Sequence, residues 1–314
     1  MKKSNARTIL LGSLFLFFVS CTEKNEIFNE HTDVFKQTES TLKAGVYKNK
    51  LEYVVGDVKQ VLINNKLKEN QIKNLLDGFE EMKFNAVRIP IYATGVNPNQ
   101  KVYDKFYNEA KSRGFKIFAN PALGYGGQRI ATKKLHCPDH ELPKVLGKTK
   151  YKNELVKRIK GFAKSKKCTW ICPFNEDEGP GKTWNNIQMN NIFKELDGNL
   201  NGAKLIGPCT WGIPAGIDVL KKTDIKKYIS VATTHNLGFH NDKWGAFKKA
   251  AGNLKIWDSE TNKNKKYPNK ATRIDAAVSN GVHGIVVYDA WKSINLNNGS
   301  VKTSGKDYMK LYLK

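Results

Sequence analysis

The sequence predicts a single α/β domain of the (β/α)8 barrel (TIM barrel) class. From about residue 50 onward, short apolar runs alternate with amphipathic stretches, a pattern typical of βαβ units that build a parallel sheet. The runs are rich in Val and Ile and nearly continuous, as expected for strands covered on both faces. Seven or eight such units match the barrel. A doubly wound open sheet is the alternative, but no G-x-G-x-x-G follows the first strand.

The predicted strands can be placed one by one. The first lies within 51–64, and the other seven are 84–92, 115–123, 168–176, 203–211, 229–236, 254–261 and 282–291. Helices are predicted between them. The stretch 68–83 places apolar residues three and four positions apart on one face, and 101–114 ends in Gly114, a helix C-cap residue. The stretches 153–165 and 183–198 follow the same pattern.

The N-terminus predicts export. Lys2, Lys3 and Arg7 precede an apolar run, Ile9 to Val19, which is too short to span a bilayer but suits a signal peptide. Ser20-Cys21 after this run resembles a bacterial lipoprotein signal. We therefore expect a signal peptide over 1–20, a lipid anchor at Cys21, a polar tether over 21–45 and the barrel over 46–314. The alternative is an ordinary cleaved signal peptide in which Cys21 is incidental.

The composition is strongly basic, with 53 Lys and Arg against 29 Asp and Glu and a net charge of +24. Such a charge favours acidic partners, and the predicted export argues against nucleic acid among them. Four cysteines remain beyond the tether, and their pairing cannot be derived from sequence. Cys168 and Cys172 fall on a predicted strand, where buried thiols are the simpler interpretation. Neither 136–140 (HCPDH) nor 235–240 (HNLGFH) has the His spacing of a zincin, so no metal site is predicted.

Polar residues collect where the predicted strands end, which is where (β/α)8 barrels place their functional groups. Two carboxylates stand out, Glu176 after the fourth strand and Glu260 after the seventh. Hydrolysis of a glycosidic bond needs such a pair, one to protonate the leaving oxygen and the other to attack carbon or activate water. The other polar or aromatic residues at strand ends include Arg88, Asn120, Asn175, Trp211, His235, Tyr288 and Trp291.

Three of these segments resemble clan A of the glycoside hydrolases. The segment FNAVRIPIY (84–92) matches the strand that carries an Arg, ICPFNE (171–176) resembles the Asn-Glu strand, and IWDSET (256–261) resembles the nucleophile strand. The resemblance covers about residues 50–291. Within the clan, 67–92 and 195–208 are similar to family 30. That family usually has Pro after Asn-Glu, whereas this sequence has Asp177, so another family of the clan is the alternative.

The resemblance implies roles for individual residues. Glu176 becomes the acid/base, Glu260 the nucleophile, and Asn175 a hydrogen-bond partner of the sugar 2-hydroxyl. Arg88 is expected near Glu260, where its charge keeps that carboxylate ionised. Tyr288 or His235 is expected to hydrogen-bond the nucleophile. This chemistry needs neither a metal nor an organic cofactor.

Several residues are expected to line the cleft. Trp211, Trp291 and Trp184 fall at strand ends or loop starts, where aromatic rings stack on sugars, and Asn120 is expected to contact substrate as well. Asp177 and Glu178 are expected to shape the cleft rim or to raise the pKa of the acid. Trp170 and Trp257 lie inside predicted strands and are assigned to the core. Basic residues that would overhang the cleft are Lys263, Lys265, Lys266 and Lys270, and also Arg129, Lys133 and Lys134; a solvated charge run is the alternative.

The sequence therefore predicts an exported, retaining glycoside hydrolase, endo-acting and monomeric, whose partner is a polysaccharide. An anionic polymer, sulfated or uronate-bearing, is favoured over a neutral glucan, xylan or mannan. The membrane is reached only through the lipid anchor, at the cell surface, on the outer membrane or in the periplasm, with secretion as the alternative. A carbohydrate-binding lipoprotein without activity is the main rival, and the presence of both glutamates argues against it. A lyase or esterase barrel is a further rival, but no G-x-S-x-G motif is present.

Overall fold

The computed structural model describes residues 47–97, 99–178, 183–266 and 270–314. The predicted signal peptide, Cys21 and the tether lie outside the described residues. Among the described residues, no helix has both the length and the apolar character needed to cross a membrane.

Eight parallel strands close into a barrel in sequence order, with the first strand paired to both the second and the eighth. This confirms the predicted fold class, and each observed strand lies within one of the predicted segments. The strands are β1 (Tyr53–Asp57), β2 (Ala86–Ile91), β3 (Lys116–Pro121), β4 (Trp170–Ile171), β5 (Lys204–Thr210), β6 (Val231–Thr234), β7 (Lys255–Thr261) and β8 (Gly284–Val287).

Helices surround the barrel and bury their apolar faces against it. In the second helix, residues spaced three and four apart are all buried, as the pattern predicted. The third helix ends before Gly114, whose φ of 83° suits the left-handed position that follows a helix. The helices are α1 (Lys59–Ile63), α2 (Ile72–Glu81), α3 (Gln100–Ser112), α4 (Gly126–Thr132), α5 (Thr149–Ser165), α6 (Asn186–Leu196), α7 (Ile213–Lys222), α8 (Trp244–Ala251), α9 (Arg273–Ser279) and α10 (Thr303–Tyr312).

Aromatic side chains fill the N-terminal end of the barrel. The ring of Trp170 lies 4.7 Å from that of Tyr53 and 4.8 Å from that of Trp257, both edge to face. Gly284 has no room for a side chain, because a Cβ there would lie 2.5 Å from the Trp257 ring. The prediction that Trp170 and Trp257 belong to the core is confirmed. These rings therefore fill the barrel interior at the end opposite the strand C-termini.

Candidate active site

The two predicted catalytic glutamates come together at the C-terminal end of the barrel. Glu260 is the sixth residue of β7, and Glu176 follows β4 on the opposite side. One carboxylate oxygen of each residue and a ring nitrogen of His235 all lie within 4.8 Å of one another. Sequence alone placed both residues at strand ends but could not show that they are so close.

Glu260 is held by a buried arginine. Its Oε2 accepts a 2.7 Å hydrogen bond from Nη2 of Arg88, which is fully buried. The same guanidinium forms a two-point contact with Asp57, at 3.0 and 2.8 Å, and donates to the Ser259 carbonyl at 2.7 Å. Arg88 therefore lies where the resemblance implied, and its hydrogen bond positions the Glu260 carboxylate.

The surroundings of Glu260 favour its ionised form. Burial alone raises the pKa of Glu260, but the positive charges of Arg88, His235 and Lys59 outweigh burial and lower the pKa to about 2. Glu260 is thus an anion across the whole neutral range, as a nucleophile must be.

Glu176 is held differently. Its backbone has a φ of 60°, a left-handed conformation that costs a residue with a side chain about 1–3 kcal/mol. Its backbone N–H is fixed by the Cys209 carbonyl at 2.9 Å. Gly124 leaves room for the carboxylate, since a Cβ there would lie 2.9 Å from Oε2 of Glu176. The strained backbone of Glu176 is therefore held in place by its surroundings, and its side chain points into the mouth of the barrel.

His235 is the hydrogen-bond partner of Glu176. Its Nδ1 lies 3.1 Å from Oε1 of Glu176, and the imidazole is fully buried. Burial lowers the pKa of His235, but Glu260, the Cys209 thiol and Glu176 raise it to a net value of about 9. The imidazole therefore carries a proton at neutral pH. The resemblance implies a hydrogen bond from His235 or Tyr288 to Glu260, whereas the hydrogen bond of His235 is to Glu176.

A polar network underlies the Asn175 side chain. Its Oδ1 accepts from Nζ of Lys59 at 2.9 Å and from Nδ2 of Asn120 at 2.8 Å, while its Nδ2 donates to the Leu123 carbonyl at 3.1 Å. Asn120 is fully buried beneath Asn175, so it supports that residue rather than facing the cleft. Lys59 is also fully buried, and burial lowers its pKa, aided by Arg88 and opposed by the nearby carboxylates.

Asp177 occupies the position that departs from the family pattern. Its carboxylate is fully buried and accepts backbone N–H groups of Asn175 at 2.8 Å, Gly127 at 2.8 Å and Gln128 at 2.7 Å. The expectation that it lies on the cleft rim is therefore wrong. Asp177 joins the start of α4 to the segment that carries both Asn175 and Glu176.

The three tryptophans predicted to stack on sugar rings, Trp211, Trp184 and Trp291, differ in solvent exposure. Trp211 is 48% exposed and its backbone N–H donates to Glu178, whose pKa burial raises to about 8. Trp184 is 2% exposed and packs against Phe174 with ring centroids 6.1 Å apart. The prediction that Trp184 offers a stacking surface is therefore wrong, because its ring is part of the core.

Two further aromatic residues lie at the end of β8. Trp291 is half-buried, and its Nε1 donates to Oδ1 of Asp289 at 3.0 Å. Tyr288 is half-buried near Glu260; burial raises its pKa, and the negative charges of Asp289 and Glu260 raise it further. Of the two, Tyr288 is the residue on which the charge of Glu260 acts.

The basic residues predicted over the cleft are only partly available. Arg129 is 5% exposed, and its guanidinium donates to carbonyls on either side of α4, those of Gly124 at 2.8 Å and Leu135 at 3.0 Å. Its expected place over the cleft is therefore wrong. Lys133 pairs with Glu154 and Lys263 with Asp307. The exposed residues of this set are Lys133, Lys134, Lys265, Lys266 and Lys270.

The described cysteines are free thiols. Cys168 and Cys172 flank β4 and are buried, which confirms their interpretation as core residues, and Cys209 is buried as well. Cys137 is partly exposed.

Glu176, His235 and Glu260 also bring three potential metal-ligating atoms together. Their charge environment opposes a divalent cation, because Arg88 already binds one oxygen of Glu260 and the charge of Lys59 acts on the same carboxylate. The arrangement is better suited to proton transfer between a carboxylic acid and a substrate oxygen.

Comparison with known proteins identifies the fold. No family model and no curated protein matches the sequence. A GH113 beta-1,4-mannanase structure matches with a TM-score of 0.53 and 11% identity, over 84% of this chain and 97% of that chain. The endo-1,4-beta-mannanase from Rhizomucor miehei gives a TM-score of 0.53 and 11% identity, over 82% and 94%. A fungal beta-1,4-galactanase gives 0.53 and 14%, over 83% and 99%. At such identities the likeness shows a shared barrel fold.

Proposed function

We propose that this chain is a retaining glycoside hydrolase that cleaves a polysaccharide internally. The observation that carries the proposal is the pairing of Glu260, an anion held by Arg88, with Glu176, whose Oε1 lies 3.1 Å from Nδ1 of His235. Their nearest oxygens lie within 4.8 Å. This spacing fits the roughly 5–5.5 Å between carboxyl groups of retaining enzymes better than the roughly 6.5–9.5 Å of inverting ones.

The first step forms a covalent intermediate. A carboxylate oxygen of Glu260 attacks the anomeric carbon, the bond from that carbon to the leaving oxygen breaks, and Glu176 gives its proton to that oxygen. His235 supports this step because its Nδ1 lies within hydrogen-bond distance of Oε1 of Glu176 and can pass a proton to that oxygen. Arg88 keeps one oxygen of Glu260 occupied, which leaves the other oxygen to form the bond.

The second step releases the sugar. Glu176, now a carboxylate, accepts a proton from water as the water oxygen attacks the anomeric carbon, and the bond to Glu260 breaks. The product keeps the anomeric configuration of the substrate. Binding of the sugar by Asn175 and stacking on Trp211 and Trp291 complete the proposed site.

The named activities of the mannanases and the galactanase with this fold support an endo-acting enzyme on a polymer. We further propose an anionic polymer, since the chain carries a net charge of +24. A neutral glycan is the alternative. The family 30 assignment within clan A stays a prediction.

The test is hydrolysis of a polysaccharide panel by the purified protein at low and high salt. The panel contains sulfated galactans, carrageenans, uronans and neutral glucans, xylans and mannans. Release of reducing sugar from at least one polymer is expected, with loss of release in both Glu176→Gln and Glu260→Gln. Substantial activity in either variant, or none in the wild type, would contradict the proposal. Cleavage of neutral polymers alone, unaffected by salt, would contradict the anionic preference.

We also propose export with a lipid anchor at Cys21, supported by the apolar run and the cysteine that follows it. The test is mass spectrometry of the mature N-terminus in a bacterial host, with Cys21→Ser as the control. A diacylated Cys21 is expected. A mature chain that begins elsewhere and carries no lipid would contradict the anchor.

A further inference from the structure

Lys59 is a buried lysine whose placement no catalytic step accounts for. It begins α1, directly after β1, and is 1% exposed. Its Nζ lies 2.9 Å from Oδ1 of Asn175 and 3.3 Å from the Pro121 carbonyl, so its hydrogen-bond partners among the described residues are neutral oxygens. Burying an amine with neutral partners is costly, and an apolar side chain would fill the same space more cheaply.

The charges around Lys59 connect it to the active site. The three carboxylates whose charge acts on it are Glu260, Asp57 and Glu176, and the opposing cation is Arg88. Its own backbone N–H is fixed by Oδ1 of Asp57 at 3.1 Å. Lys59 is therefore a second buried basic residue near the two glutamates, and its backbone is held by the same aspartate that holds Arg88.

The contact with Asn175 has a consequence for substrate binding. A backbone carbonyl can only accept, so the Asn175 atom that faces the Leu123 carbonyl must be Nδ2, and Oδ1 then faces Nζ of Lys59 at 2.9 Å. Asn120 also donates to that oxygen, and the Leu123 carbonyl accepts from the amide nitrogen. The Asn175 amide is thus fixed with its oxygen toward Lys59 and Asn120, and one N–H of Nδ2 remains for a ligand.

Resting on the function proposed above, we propose that Lys59 is a positioning residue: it fixes the Asn175 amide so that this side chain can only donate a hydrogen bond to the substrate. The group recognised is then an acceptor oxygen beside the anomeric carbon, such as the 2-hydroxyl of the sugar. Lys59 itself does not touch the substrate.

The test compares Lys59→Met and Lys59→Gln with wild type on the nitrophenyl glycoside of the cleaved sugar and on its 2-deoxy analogue. Lys59→Met is expected to lower kcat/KM about 30-fold on the parent glycoside and less than about 3-fold on the 2-deoxy analogue. Lys59→Gln keeps a donor and is expected to recover part of the loss. The matched control is Lys255→Met, which removes an exposed lysine charge at the other end of β7.

A double-mutant cycle tests whether Lys59 affects activity through Asn175. Adding Lys59→Met to Asn175→Ala is expected to change kcat/KM by less than about 2-fold, because the two residues act as one unit. Equal losses on both glycosides, accompanied by a lower melting temperature, would indicate a structural role and overturn the proposal.

A spectroscopic measurement tests the contact without any activity. In the ¹H–¹⁵N spectrum, the side-chain amide of Asn175, assigned from its loss in Asn175→Asp, is expected to shift in Lys59→Met and to stay unchanged in Lys255→Met. An unshifted Asn175 signal in Lys59→Met would overturn the positioning role. Absence of hydrolysis by the wild type, with the shift observed, would instead reject only the glycosidase function and the role of Asn175 in it.

Discussion

The two halves of the active site hold chemically identical side chains in opposite ways. On the β7 side, the Glu260 side chain is 10% exposed and bound by Arg88, which Asp57 holds in turn. On the β4 side, the Glu176 side chain is 19% exposed, sits on a left-handed backbone and meets a protonatable imidazole. The difference shows how one fold separates a permanent anion from a proton carrier. In the proposed mechanism, the nucleophile Glu260 needs a fixed cation, whereas the acid/base Glu176 needs a partner that can exchange a proton with it.

The largest expected effect is the loss of activity in Glu260→Gln and Glu176→Gln, and the two variants should differ in how this loss depends on the leaving group of the substrate. Glu260→Gln should lower kcat/KM by at least about 10⁴-fold on both the polysaccharide and a dinitrophenyl glycoside, because no nucleophile remains. Glu176→Gln should cost about 10²–10⁴-fold on the polysaccharide. On the dinitrophenyl glycoside it should still give a burst of phenol, since that leaving group needs no proton. Stopped-flow absorbance measures the burst. A burst in Glu260→Gln would contradict the assignment of Glu260 as the nucleophile and Glu176 as the acid/base.

Removing the cation on the β7 side should affect stability and pH dependence together. Arg88→Met leaves Asp57 as an unpaired buried carboxylate, which should cost about 3–5 kcal/mol of unfolding free energy. Arg88→Met combined with Asp57→Asn should recover much of that loss. The pKa of Glu260 should rise in both variants, so the acidic limb of kcat/KM moves to higher pH.

The sign of the stability effect follows from the lowered pKa of Glu260. Its contribution is complete above its ordinary pKa of 4.5 and is lost as pH falls toward about 2. Urea unfolding between pH 6 and 3 should therefore show a weaker pH dependence in Glu260→Gln than in wild type. Parallel curves would show that the network does not favour the ionised carboxylate.

Much of this arrangement was readable from the sequence because strand periodicity locates strand ends. Glu176 and Glu260 each follow an apolar run, and the barrel then brings their loops together. Asp57 and Lys59 were missed because the first strand could be placed only within 51–64, which left its end unidentified. Pairing across the barrel is also not encoded in local spacing, so the contact between His235 and Glu176 required the structure.

The errors have a common physical cause. Trp184 and Arg129 both lie in segments that follow strands, where a cleft position was a reasonable prediction. In the structure, Trp184 packs on Phe174, and Arg129 donates to carbonyls on either side of α4. Sequence shows that a residue follows a strand, but the direction of its side chain depends on tertiary packing.

A smaller effect tests the proton carrier on the β4 side. The pKa of His235 is raised from 6.5 to about 9, so its stabilising contribution is complete below pH 6.5 and is lost as pH rises through 9. Over that range, wild type should lose at most about 3 kcal/mol more unfolding free energy than His235→Gln. Urea unfolding at pH 6, 7.5 and 9 measures this, and equal losses would mean that the histidine is not protonated.

The smallest effect concerns the exposed aromatic surface beside Glu176. Trp211→Ala should raise KM for the polysaccharide about 3–10-fold while kcat and unfolding free energy stay nearly unchanged, because only a stacking surface is lost. Trp184→Ala is the matched control, with an expected loss of about 3–5 kcal/mol of unfolding free energy. A KM unchanged in Trp211→Ala would remove this residue from the binding site.

The most direct test of the two-glutamate mechanism is the anomeric configuration of the product first released, followed by proton NMR during hydrolysis of an oligosaccharide from the cleaved polymer. Retention of the substrate's configuration is predicted, because Glu260 and then water each invert the anomeric carbon once. Inversion would contradict the account, since it would assign Glu260 the role of a base that activates water.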